Sequence, residues 1–302
     1  MVRLMKLNDG KEMPVIGLGT YARKVDPGVV RQAVENGIDV GYRHIDTASS
    51  YHNEIEVGEG INNKIKEQVV TRDELFITTK LWNDMHGKQD VVPELKKSLT
   101  KLNLDYVDLY LIHWPVSVNS NNEDVGIDYI ETWRGMEQAL ELGLTRSIGV
   151  SNFNGTQLER LIEAANIKPV VNQIEVNPTL TQQELVNVCK NLSVVPVAYT
   201  PLGLLSEARP EFKGIDVIKT DPKLDDIVKS HKKTKAQIAL RYLIQRGIPV
   251  IPKSFTKSRM EENLNIFDFE LTNDEMKTMD SFNINHRCVP ASTFKTFKNY
   301  PF

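Results

Sequence analysis

Arg43-His44-Ile45-Asp46-Thr47-Ala48-Ser49-Ser50-Tyr51 begins as a short strand and ends on an acid and a phenol. The same plan recurs twice. Leu75-Phe76-Ile77-Thr78 runs into Thr79-Lys80-Leu81-Trp82, and Tyr106-Val107-Asp108-Leu109-Tyr110 runs into Leu111-Ile112-His113-Trp114. Each apolar run delivers one ionisable side chain at its C-terminal end, the end at which α/β barrels carry their chemistry.

Outward from these three, strand signals continue near Val15–Gly19, Ser147–Val150, Val170–Glu175, Val194–Tyr199 and Ile248–Ile251, which makes eight. Helical patterns alternate with them at Val29–Asn36, Glu54–Lys66, Val91–Leu102, Tyr129–Leu142, Thr156–Ala165, Thr181–Lys190 and Lys235–Arg246. Asp26-Pro27 offers a cap with Pro at the first helical position, and Thr181 precedes Glu184 at capping-box spacing. Eight alternating strands and helices predict a parallel sheet closed into a (β/α)₈ TIM barrel. Lys6–Met13, with its Asp9-Gly10 turn, predicts an N-terminal β-hairpin. Longer connections at Ser117–Asp128 and Leu204–Thr220, and the tail Asn283–Phe302, fall on the catalytic face, where the tail would form a C-terminal loop over the barrel mouth. No linker or repeat divides the chain, so residues 1–302 read as one barrel domain.

The chain carries 37 Lys and Arg against 40 Asp and Glu, a net charge of −3, with no basic stripe. That balance excludes nucleic acid and anionic membrane as partners and favours a small molecule. The apolar runs are shorter than the ~20 residues that span a bilayer, and Met1–Lys6 lacks a signal-peptide core, so a cytoplasmic protein is expected. Cys189 and Cys288 form neither a disulfide framework nor a metal motif, and no metal is expected.

A phenol holds its proton to about pH 10, so a neutral-pH donor needs neighbouring charge. Lys80 beside Tyr51 would favour the phenolate, Asp46 would keep Lys80 charged, and His113 could orient a carbonyl oxygen. Alone, each reads as an ordinary surface or core residue; together at three strand ends they read as one site. Gly17-Leu18-Gly19-Thr20-Tyr21-Ala22 fits the dinucleotide fingerprint, but Arg23–Pro27 separates it from the next helix, which excludes a Rossmann phosphate site. Ser151-Asn152 and Asn172-Gln173 end two strands with groups that suit a carboxamide, and Tyr199 offers a stacking ring before Thr200-Pro201-Leu202-Gly203. Ile251–Asn263 leads from the last strand into a helix start with Lys253 and Arg259 nearby, which suits a phosphate and favours the 2′-phosphate of NADP.

These segments, together with Asn53-Glu54, Val57-Gly58 and Ile251-Pro252-Lys253-Ser254, resemble the aldo-keto reductase superfamily over nearly the whole chain. The resemblance implies NADPH across the barrel mouth and reduction of a small-molecule carbonyl by hydride transfer. Tyr51 would be the proton donor, Lys80 and Asp46 its pKa-lowering pair, and His113 the orienting residue. Ser151, Asn152 and Gln173 match carboxamide contacts, and Tyr199 matches the stacking ring. Lys253, Ser254, Arg259 and Asn263 match the adenosine 2′-phosphate and adenine contacts. Gly19, Thr20, Tyr21, Asp46, Thr200, Pro201, Leu202, Gly203, Phe255, Thr256 and Glu262 complete the implied cofactor set. Tyr21, Trp82, His113 and Trp114 would face substrate. His113 speaks against the steroid double-bond reductases, which carry Glu there. Tyr21 stands where aldose reductases carry Trp, and the shorter Ser117–Asp128 loop predicts a more open pocket. The tail and loops are similar to those of insect members, including 3-dehydroecdysone reductases, and the resemblance implies a monomer. The rival reading is a crystallin-like NADPH-binding structural or sensor protein with little turnover; the complete set of four catalytic candidates speaks against it.

Overall fold

Period-two alternation along the strands organises the molecule. The computed structural model describes residues 2–22, 25–206 and 218–302. A hairpin of β1 (Leu4–Lys6) and β2 (Glu12–Pro14) precedes β3 (Leu18–Gly19), α1 (Val29–Val40), β4 (His44–Asp46) and α2 (Glu54–Lys66). The alternation continues through β5 (Phe76–Leu81), α3 (Lys88–Leu102), β6 (Val107–Ile112), α4 (Tyr129–Glu141), β7 (Thr145–Ser151) and α5 (Gly155–Ala164). It then runs through β8 (Val171–Glu175), α6 (Gln183–Asn191), β9 (Val195–Tyr199), α7 (Pro222–His231) and α8 (Lys235–Gln245). Two further helices, α9 (Lys257–Leu264) and α10 (Asn273–Ser281), precede the tail.

Strands β3 to β9 pair in parallel in chain order, a seven-stranded sheet among the described residues. The predicted eighth strand, Ile248–Ile251, and most of the first, Val15–Gly19, are not continuous ladders. Instead the Val250 N–H donates to Val15 O (2.9 Å) and Gly17 N–H to Val250 O (2.9 Å), while Ile251 N–H donates to Ala198 O (3.1 Å). The seam therefore closes through isolated bridges. Pro249 and Pro252 explain this, since neither has an N–H to continue a ladder.

Alternation sorts side chains into an outer and an inner layer. Ile77, Leu81, Tyr110, Ile112, Ile148 and Val150 face outward and join the helices in the large buried cluster. Phe76, Leu109, Leu111, Val171, Val197 and Ile251 fill the barrel interior together with Leu7 and Met13 from the hairpin. The hairpin thus seals the N-terminal end: Asn8 Nδ2 donates to Pro169 O and Ser193 O (both 2.9 Å), and Ser147 Oγ donates to Asp9 Oδ2 (2.6 Å). Followed upward, the inner columns turn polar, from Phe76 through Thr78 to Lys80, and from Val171 through Gln173 to Glu175. The inner columns of β5 and β8 thereby bring their polar groups to the mouth opposite the hairpin.

Two helix starts differ from expectation. Helix α1 is capped by Gly28 (φ 86°), not by Asp26, and its Val30 and Arg31 N–H groups donate to Glu56 Oε2 at 3.0 and 3.1 Å. A carboxylate on α2 satisfies those end donors, so no local cap is needed. At α6, Gln182 (φ 45°) precedes the helix and Thr181 N–H bonds Asn283 Oδ1, so Thr181 and Glu184 make no capping box. That motif occurs at Asn154, Thr234 and Thr272 instead. Gly58 lets α2 approach α3, because a Cβ there would lie 2.3 Å from Leu102 O.

Candidate active site

β4, β5 and β6 deliver Asp46, Lys80 and His113 to the mouth, and the 3-10 turn Ser49–Tyr51 carries the phenol over them. That turn is bolted to β5, since Ser49 Oγ donates to Lys80 O at 3.0 Å. Lys80 is fully buried, and its Nζ donates to Asp46 Oδ1 (2.5 Å), Thr47 O (2.9 Å) and Tyr51 Oη (3.2 Å). All three ammonium protons are therefore directed, one of them at the phenol. Asp46 Oδ2 accepts from Gln173 Nε2 at 2.7 Å, which fixes the carboxylate from its far side. The ring of His113 lies 5.7 Å from that of Tyr51, and Ser50 Oγ meets its Nδ1 at 3.3 Å.

Burial decides the protonation states. It pushes the Tyr51 phenol well above its usual 10, with the Asp46 charge and the Tyr21 phenol adding to the effect. The expected lowering by Lys80 is therefore reversed in the resting site, because loss of water outweighs the nearby ammonium. Tyr51 rests fully protonated, as a proton donor must. Lys80 is itself lowered from 10.5 by burial, against which Asp46 pulls upward. His113 is held well below 6.5 by burial, then by the charge of Lys80 and by His86, so it is a neutral imidazole.

The other strand ends complete the ring. Ser151 Oγ donates to Gln173 O (2.8 Å), and Asn152 Nδ2 donates to His113 O (2.9 Å). Asn152 adopts φ 62°, a left-handed backbone state that asparagine accepts more readily than most residues. Its Oδ1 accepts from Tyr199 Oη at 2.7 Å, so the three β7–β9 ends form one connected polar wall. Beyond Tyr199, Thr200 and Gly203 both have positive φ and Gly203 N–H bonds Thr200 O, folding Thr200–Gly203 back sharply.

Gly19 and Thr20 lie at the rim beside Asp46, whose backbone oxygen accepts from Thr20 N–H and Oγ1. Lys253 is exposed and lies over the Phe255 ring, while Ser254 Oγ accepts from the Thr256 N–H at the start of α9. Arg259 is exposed; Asn263 is buried against the Tyr42 hydroxyl, and Glu262 Oε1 accepts from Thr234 Oγ1. The expected cofactor residues of α9 thus divide into an outward cation and two groups occupied within the protein.

The model for the Aldo/keto reductase family matches residues 15–284. The chain belongs to the aldo/keto reductase family. It is 48% identical to the Bombyx mori aldo-keto reductase AKR2E4 over 301 residues, 98% of this chain and 97% of that protein. The crystal structure of AKR2E4 in complex with NADP superposes with a TM-score of 0.95 at 47% identity, covering 100% and 99% of the two chains. An aldo-keto reductase structure, AKR2E5 complexed with NADPH, matches at TM-score 0.97 and 44% identity, covering 100% of this chain and 94% of that one.

In this aldo-keto reductase the expected substrate residues fare differently. Tyr21 is 45% exposed, its ring 5.1 Å from that of Tyr51, and Trp82 stands 5.1 Å from His113. Trp114 is buried, with Phe294 and Phe302 of the tail 6.2 and 5.9 Å away. The tail therefore covers Trp114. Of the Leu204–Thr220 connection, residues 207–217 lie outside the described residues. Sequence reasoning missed Ser49, Ser50 and Thr47, whose hydroxyl and carbonyl contacts have no signature in so common a loop composition, and it missed Glu175.

The buried histidines give the fold a pH dependence. Burial holds His44 at about 4 and His86 at about 3. The unfolded chain takes up these protons near pH 6.5 and the folded one does not, so stability is full above that pH and falls as pH drops toward 4. For His44 the loss amounts to about 3 kcal/mol. Urea midpoints at pH 7 and pH 5 should show the decline, and His86→Gln should flatten it; an equal slope in that variant would remove His86 from the account.

Proposed function

We propose that this chain is an NADPH-dependent reductase of aldehydes and ketones in which Tyr51 protonates the carbonyl oxygen. The observation that carries this reading is Lys80 Nζ, set between Asp46 Oδ1 and Tyr51 Oη. The donor set fits the dinucleotide. Ser151, Asn152 and Gln173 offer paired amide and hydroxyl groups for a carboxamide, Tyr199 offers a ring, and Lys253 and Arg259 offer exposed cations for a 2′-phosphate. When bound, the nicotinamide supplies a hydride to the carbonyl carbon.

The rest falls to the protein. Neutral His113 can donate a hydrogen bond to the carbonyl oxygen without competing for the proton. As that oxygen gains charge, Tyr51 releases its proton to it, and the nascent phenolate is born 3.2 Å from the ammonium. At an effective dielectric of about 20 that contact is worth on the order of 5 kcal/mol before desolvation. The resting phenol is thus hard to ionise in isolation, and ionisation becomes favourable only in step with a substrate that accepts the proton.

A bulky carbonyl with a large ring framework, such as the steroid ketone 3-dehydroecdysone, suits the wall formed by Trp82, Trp114 and Phe294. A cytoplasmic monomer of one domain is the accompanying reading; its two cysteines, Cys189 and Cys288, are both buried and form no disulfide. Absorbance loss at the NADPH band with a panel of aldehydes, sugars and a steroid ketone tests the proposal. Consumption with NADPH exceeding that with NADH is the expected result. Tight NADPH binding without turnover of any carbonyl would favour the structural-protein alternative.

A further inference from the structure

Glu175 ends β8 two residues beyond Gln173 and hence on the same inner column. It is fully buried, yet no Lys or Arg pairs with it through a salt bridge among the described residues. Its partners are backbone groups of the tail: Oε1 accepts from the Cys288 N–H at 2.7 Å and Oε2 from the Val289 N–H at 2.8 Å. Asn177 Nδ2 adds a longer contact of 3.4 Å to Oε1. Two consecutive N–H groups are thus clasped by one carboxylate, which is the geometry of a strong, charge-assisted pair.

The clasped segment is the root of the lid over the site. Beyond it, Phe294 packs on Trp82 and Trp114, and Trp82 packs on His113. At the far end the tail is held by bonds from Asn154 to Pro301 O and from Gln157 to Asn299 O, and by the Lys298 N–H donating to Asp124 Oδ2 at 3.0 Å. We propose that Glu175 is a positioning residue for substrate selectivity: its carboxylate fastens the tail root so that the Phe294 wall stands against the catalytic histidine. The inference rests on the reductase reading of the site.

Glu175→Gln keeps size and shape but replaces one acceptor by an NH₂ that faces a backbone N–H. Loss of one charge-assisted bond should raise KM for a steroid 3-ketone about tenfold while kcat/KM for propanal moves less than about twofold. Trypsin should also cut sooner at Lys295 and Lys298, which are exposed on the tail. Val289→Pro removes one donor from the tail side while keeping an apolar side chain against the two buried clusters that Val289 touches, and should give the same shift, which covers misfolding of the first variant. Wild-type selectivity and tail protection in either folded variant would overturn the role of Glu175 and leave the reductase reading intact. Failure of the wild type to turn over both carbonyls would overturn that reading itself.

Discussion

Tyr51→Phe lowers turnover by about 10² to 10⁴-fold, the range over which a positioned acid contributes. The change removes one oxygen, which Lys80 Nζ meets at 3.2 Å. The ring remains, with its edge contacts to Tyr21 and His113 at 5.1 and 5.7 Å, so the mouth keeps its shape. NADPH affinity, read by quenching of protein fluorescence, should therefore stay near that of the wild type while single-turnover reduction collapses. A variant that turns over at near wild-type rate would show that another group supplies the proton.

Lys80→Met should reduce both turnover and stability. The lysine is fully buried and Asp46 nearly so, and their 2.5 Å contact is what compensates the buried carboxylate. Breaking such a pair from one side typically costs about 3–5 kcal/mol, because the remaining charge keeps its desolvation penalty without its partner. Gln173 Nε2 still donates to Asp46, which lessens but does not remove that cost. Urea denaturation of Lys80→Met beside the double variant Asp46→Asn/Lys80→Met separates the two effects. The double variant should recover much of the stability and none of the activity. Equal stability of single and double variants would mean that the Asp46 carboxyl carries no penalty once Lys80 is gone.

The barrel was legible because the period-two pattern is carried by the residues themselves. Phe76, Thr78 and Lys80 share a face whatever surrounds them. The convergence of Asp46, Tyr51, Lys80 and His113 followed from the same rule, since each lies at the finishing end of a strand or just past it. What escaped depended on distant partners. The cap of α1 comes from Glu56 on another helix, and no local pattern around Asp26-Pro27 announces that. The direction of the Tyr51 shift is set by how much water the assembled fold excludes, a quantity that composition does not carry. Glu175 reads as one more acid at a strand end until the tail, 113 residues later in the chain, is seen to return to it.

Because Leu7, Met13 and the Asp9–Ser147 bond stopper the opposite end of the barrel, reactants have a single doorway. Whatever occupies the floor of that doorway must leave by the way it came, so exchange proceeds by turns and the slowest departure sets the pace of the cycle.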